Sequence, residues 1–341
     1  MGREVEEAMQ RSEWERVPRM KLAHLPTPLE PAPRLGEAIG LRHLWVKRDD
    51  LTGLAAGGNK ARKLEYLMAE AQALGATTVI TFGAIQSNHA CMTAAAAARL
   101  GMSAVLVLNG AEPEDPQGNL LLDRLLGARV LFVPEGDRAR KAAANAEAER
   151  LRERGERPYV IPTGGSTPLG SLGYALAVQE LAEQSEALGI RFRRLFVASG
   201  SGGTHAGLHL GARAFLPDLQ VMGVAVGEEV EWLRSKVLAC AAGAAEAFGI
   251  APAPTAEEIT LLGEYAAPGY GVPGPAALEA MRLVARTEGL FVDPVYTAKA
   301  LSALIDHART GRLDPEEPVL FWHTGGLPGL FANPAFCLEE A

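Results

Sequence analysis

The sequence predicts an α/β protein of two domains, with parallel-rich twisted sheets flanked by helices. Three observations carry that expectation. Short apolar runs alternate with helix-period segments through most of the chain. Several of those runs are apolar at every position, as strands buried on both faces are. The length of 341 residues suggests two cores, at roughly 100–200 residues per domain.

The elements follow one another in that alternating order. A helical stretch over Lys60–Leu74 precedes a strand over Thr77–Phe82 and a helix over Asn88–Leu100, whose Ala94–Ala98 run is a strong helix former. Strands are expected at Ala104–Leu108 and Val130–Val133, then a helix over Arg138–Arg154 and a strand over Tyr159–Ile161. A helix over Leu172–Leu188 leads to strands at Leu195–Ala198 and Val221–Val226. Thr297–Arg309 reads as a helix and Val319–Trp322 as the last strand. Such alternation implies parallel sheets covered by helices on both sides. The Gly/Pro/Ser/Thr-rich stretch Pro162–Gly173 and the turn Gly53–Gly58 are candidate hinges. If both bend, residues 63–170 form a smaller domain, and residues 1–62 pair with 171–341 in a larger one.

Composition narrows the function classes. Lys+Arg total 33 and Asp+Glu 41, a net charge of −8, which argues against a nucleic-acid binder needing clustered cations. No apolar run approaches the roughly 20 residues of a membrane-spanning helix. Met1–Met20 is charged and lacks the apolar core of a signal peptide. Cys91, Cys240 and Cys337 are scattered, with no CxxC pair, so neither a disulfide framework nor a zinc site is expected. A cytoplasmic protein acting on a small molecule, without a metal, is the expectation.

Four loops place polar residues where α/β sheets bind ligands, at strand ends beside helix N-termini. Ser199-Gly200-Ser201-Gly202-Gly203-Thr204-His205 follows an apolar strand and opens a helix. Its glycines let backbone N–H groups approach a phosphate, and Ser201 and Thr204 add hydroxyls. The dinucleotide fingerprint fails because His205 fills its third glycine position. The Walker pattern fails at Gly53…Gly58, where Asn59 precedes Lys60 and no Ser or Thr follows. A plain tight turn is the bland alternative.

In the second loop, Gly57-Gly58-Asn59-Lys60, the lysine opens a helix whose positive end disfavours it. Arg62 and Lys63 would push the same way, toward an amine suited to Schiff-base chemistry. The third loop, Gly83 to His89, offers Ser87 and Asn88 as helix caps or as carboxylate binders, with His89 as a core or cap-proximal side chain. The serine-hydrolase elbow fails there at both glycine positions. The fourth, His323-Thr324-Gly325-Gly326, adds a hydroxyl at a strand end. Only 6% of residues are aromatic, so Tyr270 and Tyr296, both beside Pro/Gly turns, draw notice.

A lysine opening a helix, a Ser-Asn turn and a later Gly/Ser/Thr phosphate loop fit pyridoxal phosphate held as a Schiff base. The chain resembles the fold-type-II pyridoxal-phosphate enzymes, specifically the D-cysteine desulfhydrase and 1-aminocyclopropane-1-carboxylate deaminase family. The resemblance runs from Leu25-Pro26-Thr27-Pro28-Leu29 to His323-Thr324-Gly325-Gly326. It includes Lys47-Arg48-Asp49-Asp50-Leu51, Gly57-Gly58-Asn59-Lys60-Ala61-Arg62-Lys63, Gln86-Ser87-Asn88-His89, Pro268-Gly269-Tyr270-Gly271 and Asp293-Pro294-Val295-Tyr296. It implies a tryptophan-synthase-β-like fold, with the larger domain binding the cofactor and the smaller closing over substrate.

By the same resemblance, Lys60 carries the cofactor, Asn88 bonds its phenolic oxygen, and Gly200, Ser201, Gly202, Gly203 and Thr204 cradle its phosphate. Ser87, Asn88 and His89 match the substrate-binding turn, and Tyr270 and Tyr296 the active-site tyrosines. Thr297 or Thr324 is expected at the pyridine nitrogen. Cyclopropane-opening members resemble one another in having Glu after the second tyrosine; this chain has Thr297, the pattern similar to D-cysteine desulfhydrases. The implied reaction is elimination from D-cysteine to pyruvate, ammonia and hydrogen sulfide, by a homodimer. Deamination of the cyclopropane amino acid and release of sulfite from L-cysteate are the alternatives. A dehydrogenase would need the missing dinucleotide fingerprint, and a non-catalytic amino-acid sensor would not need the lysine and tyrosines.

Overall fold

Charged and polar strand ends, rather than the apolar strand interiors, decide where this chain can bind anything, because the strands run parallel. The computed structural model describes residues 16–334 and 336. Cys337 and the first 15 residues of the Met1–Met20 segment lie outside them. The chain begins with β1 (Leu29–Pro31), α1 (Pro33–Ile39) and β2 (Leu44–Arg48). Then come α2 (Lys60–Ala73), β3 (Thr78–Ala84), α3 (Asn88–Arg99), β4 (Ser103–Asn109) and α4 (Gly118–Leu125). Next are β5 (Arg129–Val133), α5 (Asp137–Glu153), β6 (Pro158–Ile161) and α6 (Pro168–Leu188). These lead to β7 (Arg194–Ser199), α7 (Gly203–Phe215), β8 (Gln220–Ala225), α8 (Val230–Phe248) and β9 (Leu261–Leu262). The hairpin β10 (Pro268–Gly269) and β11 (Val272–Pro273), α9 (Pro275–Glu288), α10 (Thr297–Arg309), β12 (Val319–His323) and α11 (Leu327–Phe331) complete the order.

The strands form a four-stranded sheet, β5-β4-β3-β6, and a six-stranded sheet, β1-β2-β12-β7-β8-β9. Every pairing in them is parallel except that of β1 with β2. Each strand places alternate residues on opposite faces. Val105 and Val107 of β4 therefore pack with Ala144, Ala148 and Leu151 of α5. Leu106 and Leu108 pack on the other face with Ala90 and Ala94 of α3. The larger sheet is covered likewise, Phe196 and Phe321 facing α10 and Leu195 and Trp322 facing α6 and α7. Truncating one of these leucines or aromatic side chains to alanine costs about 2–5 kcal/mol.

The α/β reading and the parallel sheets hold, and the expected strands fall within two residues of the observed ends. Two differences have physical causes. Helix α6 starts at Pro168, four residues before Leu172, because the Thr167 hydroxyl accepts from Gly170 N at 2.9 Å and proline suits the first turn. The stretch Pro162–Gly173 is thus half helix. Strand β2 escapes an apolar criterion because it carries Lys47 and Arg48. Lys47 is 0% exposed and bonds Glu180. Beside it, Asp49 accepts from Arg62, Thr27, Tyr174 and Trp322 Nε1. This buried ionic cluster joins β2, α2, α6 and β12.

Candidate active site

The carboxyl ends of β3, β6, β7 and β12 converge on a cleft of about 490 Å³. Lys60 enters it through a contact between two turns. Gly58 sits at φ +130° and Gly325 at φ +88°, and a Cβ on Gly325 would lie 2.7 Å from the Gly58 Cα. Only glycines allow that approach. Asn59 N then donates to Thr324 O at 3.0 Å. The Lys60 amine donates to Asn59 Oδ1 at 2.7 Å, and Asn59 Nδ2 to Thr204 Oγ1 at 2.9 Å. Burial lowers the Lys60 pKa to about 8, and the Asp293 carboxylate opposes it.

That cause corrects the sequence expectation. Arg62 does not push on Lys60, since its guanidinium turns to Asp49 and Glu180. Lys63 lies under the glycine loop, its amine donating to Gly164 O at 2.9 Å and Ser166 Oγ at 3.3 Å. Burial, then Lys60, holds the Lys63 pKa well below its usual 10.5.

At the start of α3, Ser87 is the cap, its Oγ accepting from Ala90 N at 3.2 Å. Asn119 Nδ2 donates to Asn88 Oδ1 at 2.8 Å, which leaves the Asn88 amide N–H groups for the cleft. His89 is 3% exposed, and neither ring nitrogen has a well-formed hydrogen bond. Burial and the neighbouring Lys60 and Lys63 hold its pKa well below 6.5, so the ring is neutral. The ring also meets the Pro162 backbone, and a buried imidazole lining a cleft has a second nitrogen suited to a ligand.

The glycine loop opens α7. Gly202 caps it at φ +86°, and Gly200, Ser201, Gly202 and Thr204 line the cleft with the positive helix end behind them. Gly203 sits behind this rim, its N–H donating to Ser166 Oγ at 3.1 Å, while Ser166 Oγ donates to Ser201 Oγ at 2.8 Å.

Tyr270 and Tyr296 also line the cleft, and their hydroxyls hydrogen-bond to each other. Desolvation raises both phenol pKa values, most at Tyr296, so both carry their protons. Asp293 holds the Tyr296 turn, its Oδ2 accepting from Val295 N and Tyr296 N at 2.9 Å each. Thr297 is 0% exposed, and its hydroxyl donates to Asp293 Oδ1 at 2.6 Å. The cleft is lined by Thr324, not Thr297.

The two lysines, the glycine cradle and the neutral buried histidine fit a phosphorylated aldehyde. The family model described as "Pyridoxal-phosphate dependent enzyme" matches residues 20–325. The chain belongs to this pyridoxal-phosphate-dependent enzyme family. It is 44% identical over 327 residues to "D-cysteine desulfhydrase" of Salmonella newport (strain SL254), covering 93% of this chain and 96% of that one. The same figures hold for the Salmonella typhi protein. A solved "ACC deaminase homologue" aligns at TM-score 0.88 and 41% identity, over 96% of this chain and 97% of that one. A solved threonine deaminase from T.th. shares the fold, at TM-score 0.65 and 24% identity over 88% and 92%.

Within this pyridoxal-phosphate enzyme, sequence reasoning passed over Asn59, Ser166 and Asp293 as functional residues. Asn59 and Ser166 link the lysine and the phosphate loop only after folding. Asp293 had a local signal, an aspartate four residues ahead of Thr297 at a helix start. Among the described residues no group of His, Cys, Asp and Glu could hold a metal ion, and no helix is long and apolar enough to cross a membrane.

Proposed function

We propose that this enzyme converts D-cysteine to pyruvate, ammonia and hydrogen sulfide, consuming one water. The observation that carries the reading is the convergence of Lys60, Ser87, Asn88, His89, Tyr270 and Tyr296 on one cleft, in a chain 44% identical to D-cysteine desulfhydrases. Bound pyridoxal phosphate supplies an electron sink for the bond broken at the substrate α-carbon. The residues do the rest. Gly200, Ser201, Gly202 and Thr204 would hold the phosphate with Gly203 behind them, Asn88 would bond the phenolic oxygen, and Thr324 rather than Thr297 would meet the ring nitrogen.

Ser87, the N–H groups opening α3 and neutral His89 hold the substrate carboxylate. Lys60 would hold the cofactor, and its amine would move the α-proton; a pKa about 8 suits both. The protonated Tyr270–Tyr296 pair donates to the departing sulfur. A hydroxyl at the ring nitrogen, unlike a carboxylate, would not favour its protonation, which suffices when a good leaving group departs.

We further assign residues 1–62 with 171–341 to cofactor binding, and 63–170 to a smaller domain that closes over substrate. Supporting this, β3 to β6 all fall within 63–170 and the other sheet strands outside it. A cytoplasmic homodimer completes the reading. Exposed Leu121 and Leu125 on α4, beside Leu327 and Phe331 on α11, offer an apolar surface for a second copy, and Cys91 and Cys240 are free thiols. The test is 2-oxo acid release, pyruvate from D-cysteine, L-cysteine and L-cysteate and 2-oxobutanoate from 1-aminocyclopropane-1-carboxylate. Fastest release from D-cysteine supports the reading, and preference for either of the last two replaces it.

A further inference from the structure

A buried ammonium outside the cleft is clamped by the loop that carries Tyr270. Lys299 lies in the first turn of α10 and is 0% exposed. Its Nζ donates to Val226 O at 3.0 Å, Ala266 O at 2.8 Å and Gly269 O at 2.6 Å. An ammonium has three N–H donors and no acceptor, so three carbonyls saturate it. Two of them belong to the segment ending at Tyr270, and the third to the residue just after β8. The next residue, Gly227, presses on Tyr270 directly, since a Cβ there would lie 2.5 Å from the Tyr270 Cα. Three residues before Lys299, Tyr296 caps α10 and meets the Tyr270 hydroxyl.

Burying an ammonium carries a desolvation cost even when it is hydrogen-bonded, and an apolar side chain there would leave the three carbonyls without this donor. The arrangement spends that cost on one loop. From this geometry we infer that Lys299 is a positioning residue, fixing the Ala266–Tyr270 segment so that the Tyr270 hydroxyl meets Tyr296 at the cleft. The inference rests on the reading of the tyrosine pair as proton donor to the leaving sulfur.

The test compares Lys299→Met, Tyr270→Phe and the double variant as cofactor-loaded full-length enzyme. Each is assayed with D-cysteine and with β-chloro-D-alanine, whose chloride departs without a proton. Lys299→Met should lower kcat for D-cysteine about 100-fold, the scale of a 1 Å misplacement, with KM little changed. It should spare the chloro substrate. Tyr270→Phe should show the same pattern, and the double variant should be no worse than Tyr270→Phe. Hydrogen exchange on cofactor-free Lys299→Met should quicken in the segment from residue 264 to 272 and not elsewhere.

Equal losses on both substrates, or additive losses in the double variant, would overturn the inference. A Tyr270→Phe defect that Lys299→Met does not share overturns it while leaving the tyrosine reading intact. Full activity of Tyr270→Phe removes that reading and the inference together. Lys299→Gln keeps two N–H donors on a shorter stem and should fall between wild type and Lys299→Met. It carries the same comparison if the methionine variant does not fold.

Discussion

The Lys60 amine and the Asn59 side-chain oxygen are joined at 2.7 Å, between neighbours in sequence. Through Asn59 Nδ2 the link continues to Thr204 at 2.9 Å, so the lysine and the phosphate loop share one side chain. Asn59→Ala should therefore weaken cofactor binding about tenfold, equivalent to about 1.4 kcal/mol, within the range for one lost buried hydrogen bond. Equilibrium dialysis reads the effect directly. Unchanged affinity would mean that the link is incidental.

Lys60 also sets a pH dependence. Its folded pKa of about 8 lies below the usual 10.5, so the reactive neutral amine accumulates as pH rises through about 8. Cofactor capture by the stripped protein should accelerate across that range and then level off. Lys60→Ala should show no capture that borohydride can fix, and no turnover. Label found on Lys63 in the wild type would reassign the role.

Gly202→Val tests the phosphate cradle. At φ +86° a branched side chain is strained, and its Cβ would stand 3.1 Å from Val237 N. Cofactor should be lost on dialysis, with a smaller change in the melting temperature of the cofactor-free protein. Retained cofactor would count against the loop.

The two threonines separate by location. Thr297→Val removes a donor from buried Asp293 and should cost about 1–3 kcal/mol of stability, leaving the absorbance of bound cofactor unchanged. Thr324→Val, in the cleft, should shift that absorbance and lower kcat at nearly wild-type stability. Thr297→Glu would set a second carboxylate against Asp293, so a lowered melting temperature with an unchanged substrate ratio is expected. A changed ratio would return the electronic role to Thr297.

Asp123 gives a stability test away from the site. It is 1% exposed, its oxygens lack well-formed hydrogen bonds, and burial raises its pKa to about 7. The unfolded chain releases this proton near 3.8, so between the two values the folded state binds more protons and loses stability as pH rises. The gain in melting temperature for Asp123→Asn should be small at about pH 4 and largest at about pH 8. A gain independent of pH would contradict the assignment.

The sequence by itself determined the α/β alternation, because uniformly apolar runs can be satisfied only inside a sheet covered on both faces. It also marked Lys60, Ser87, Asn88, the Gly200–Thr204 loop and the two tyrosines, since glycine, hydroxyl and cap residues are local signals. Tertiary structure decided what depends on distant neighbours. Burial, not Arg62, lowers the Lys60 pKa, because Asp49 and Glu180 draw the guanidinium away. Strand β2 is hidden in sequence by Lys47, whose partner Glu180 lies 133 residues on. Thr324 rather than Thr297 lines the cleft, because Asp293 folds back onto the α10 start. Each outcome turns on which partner a polar group meets after folding, and residue type and spacing do not encode that.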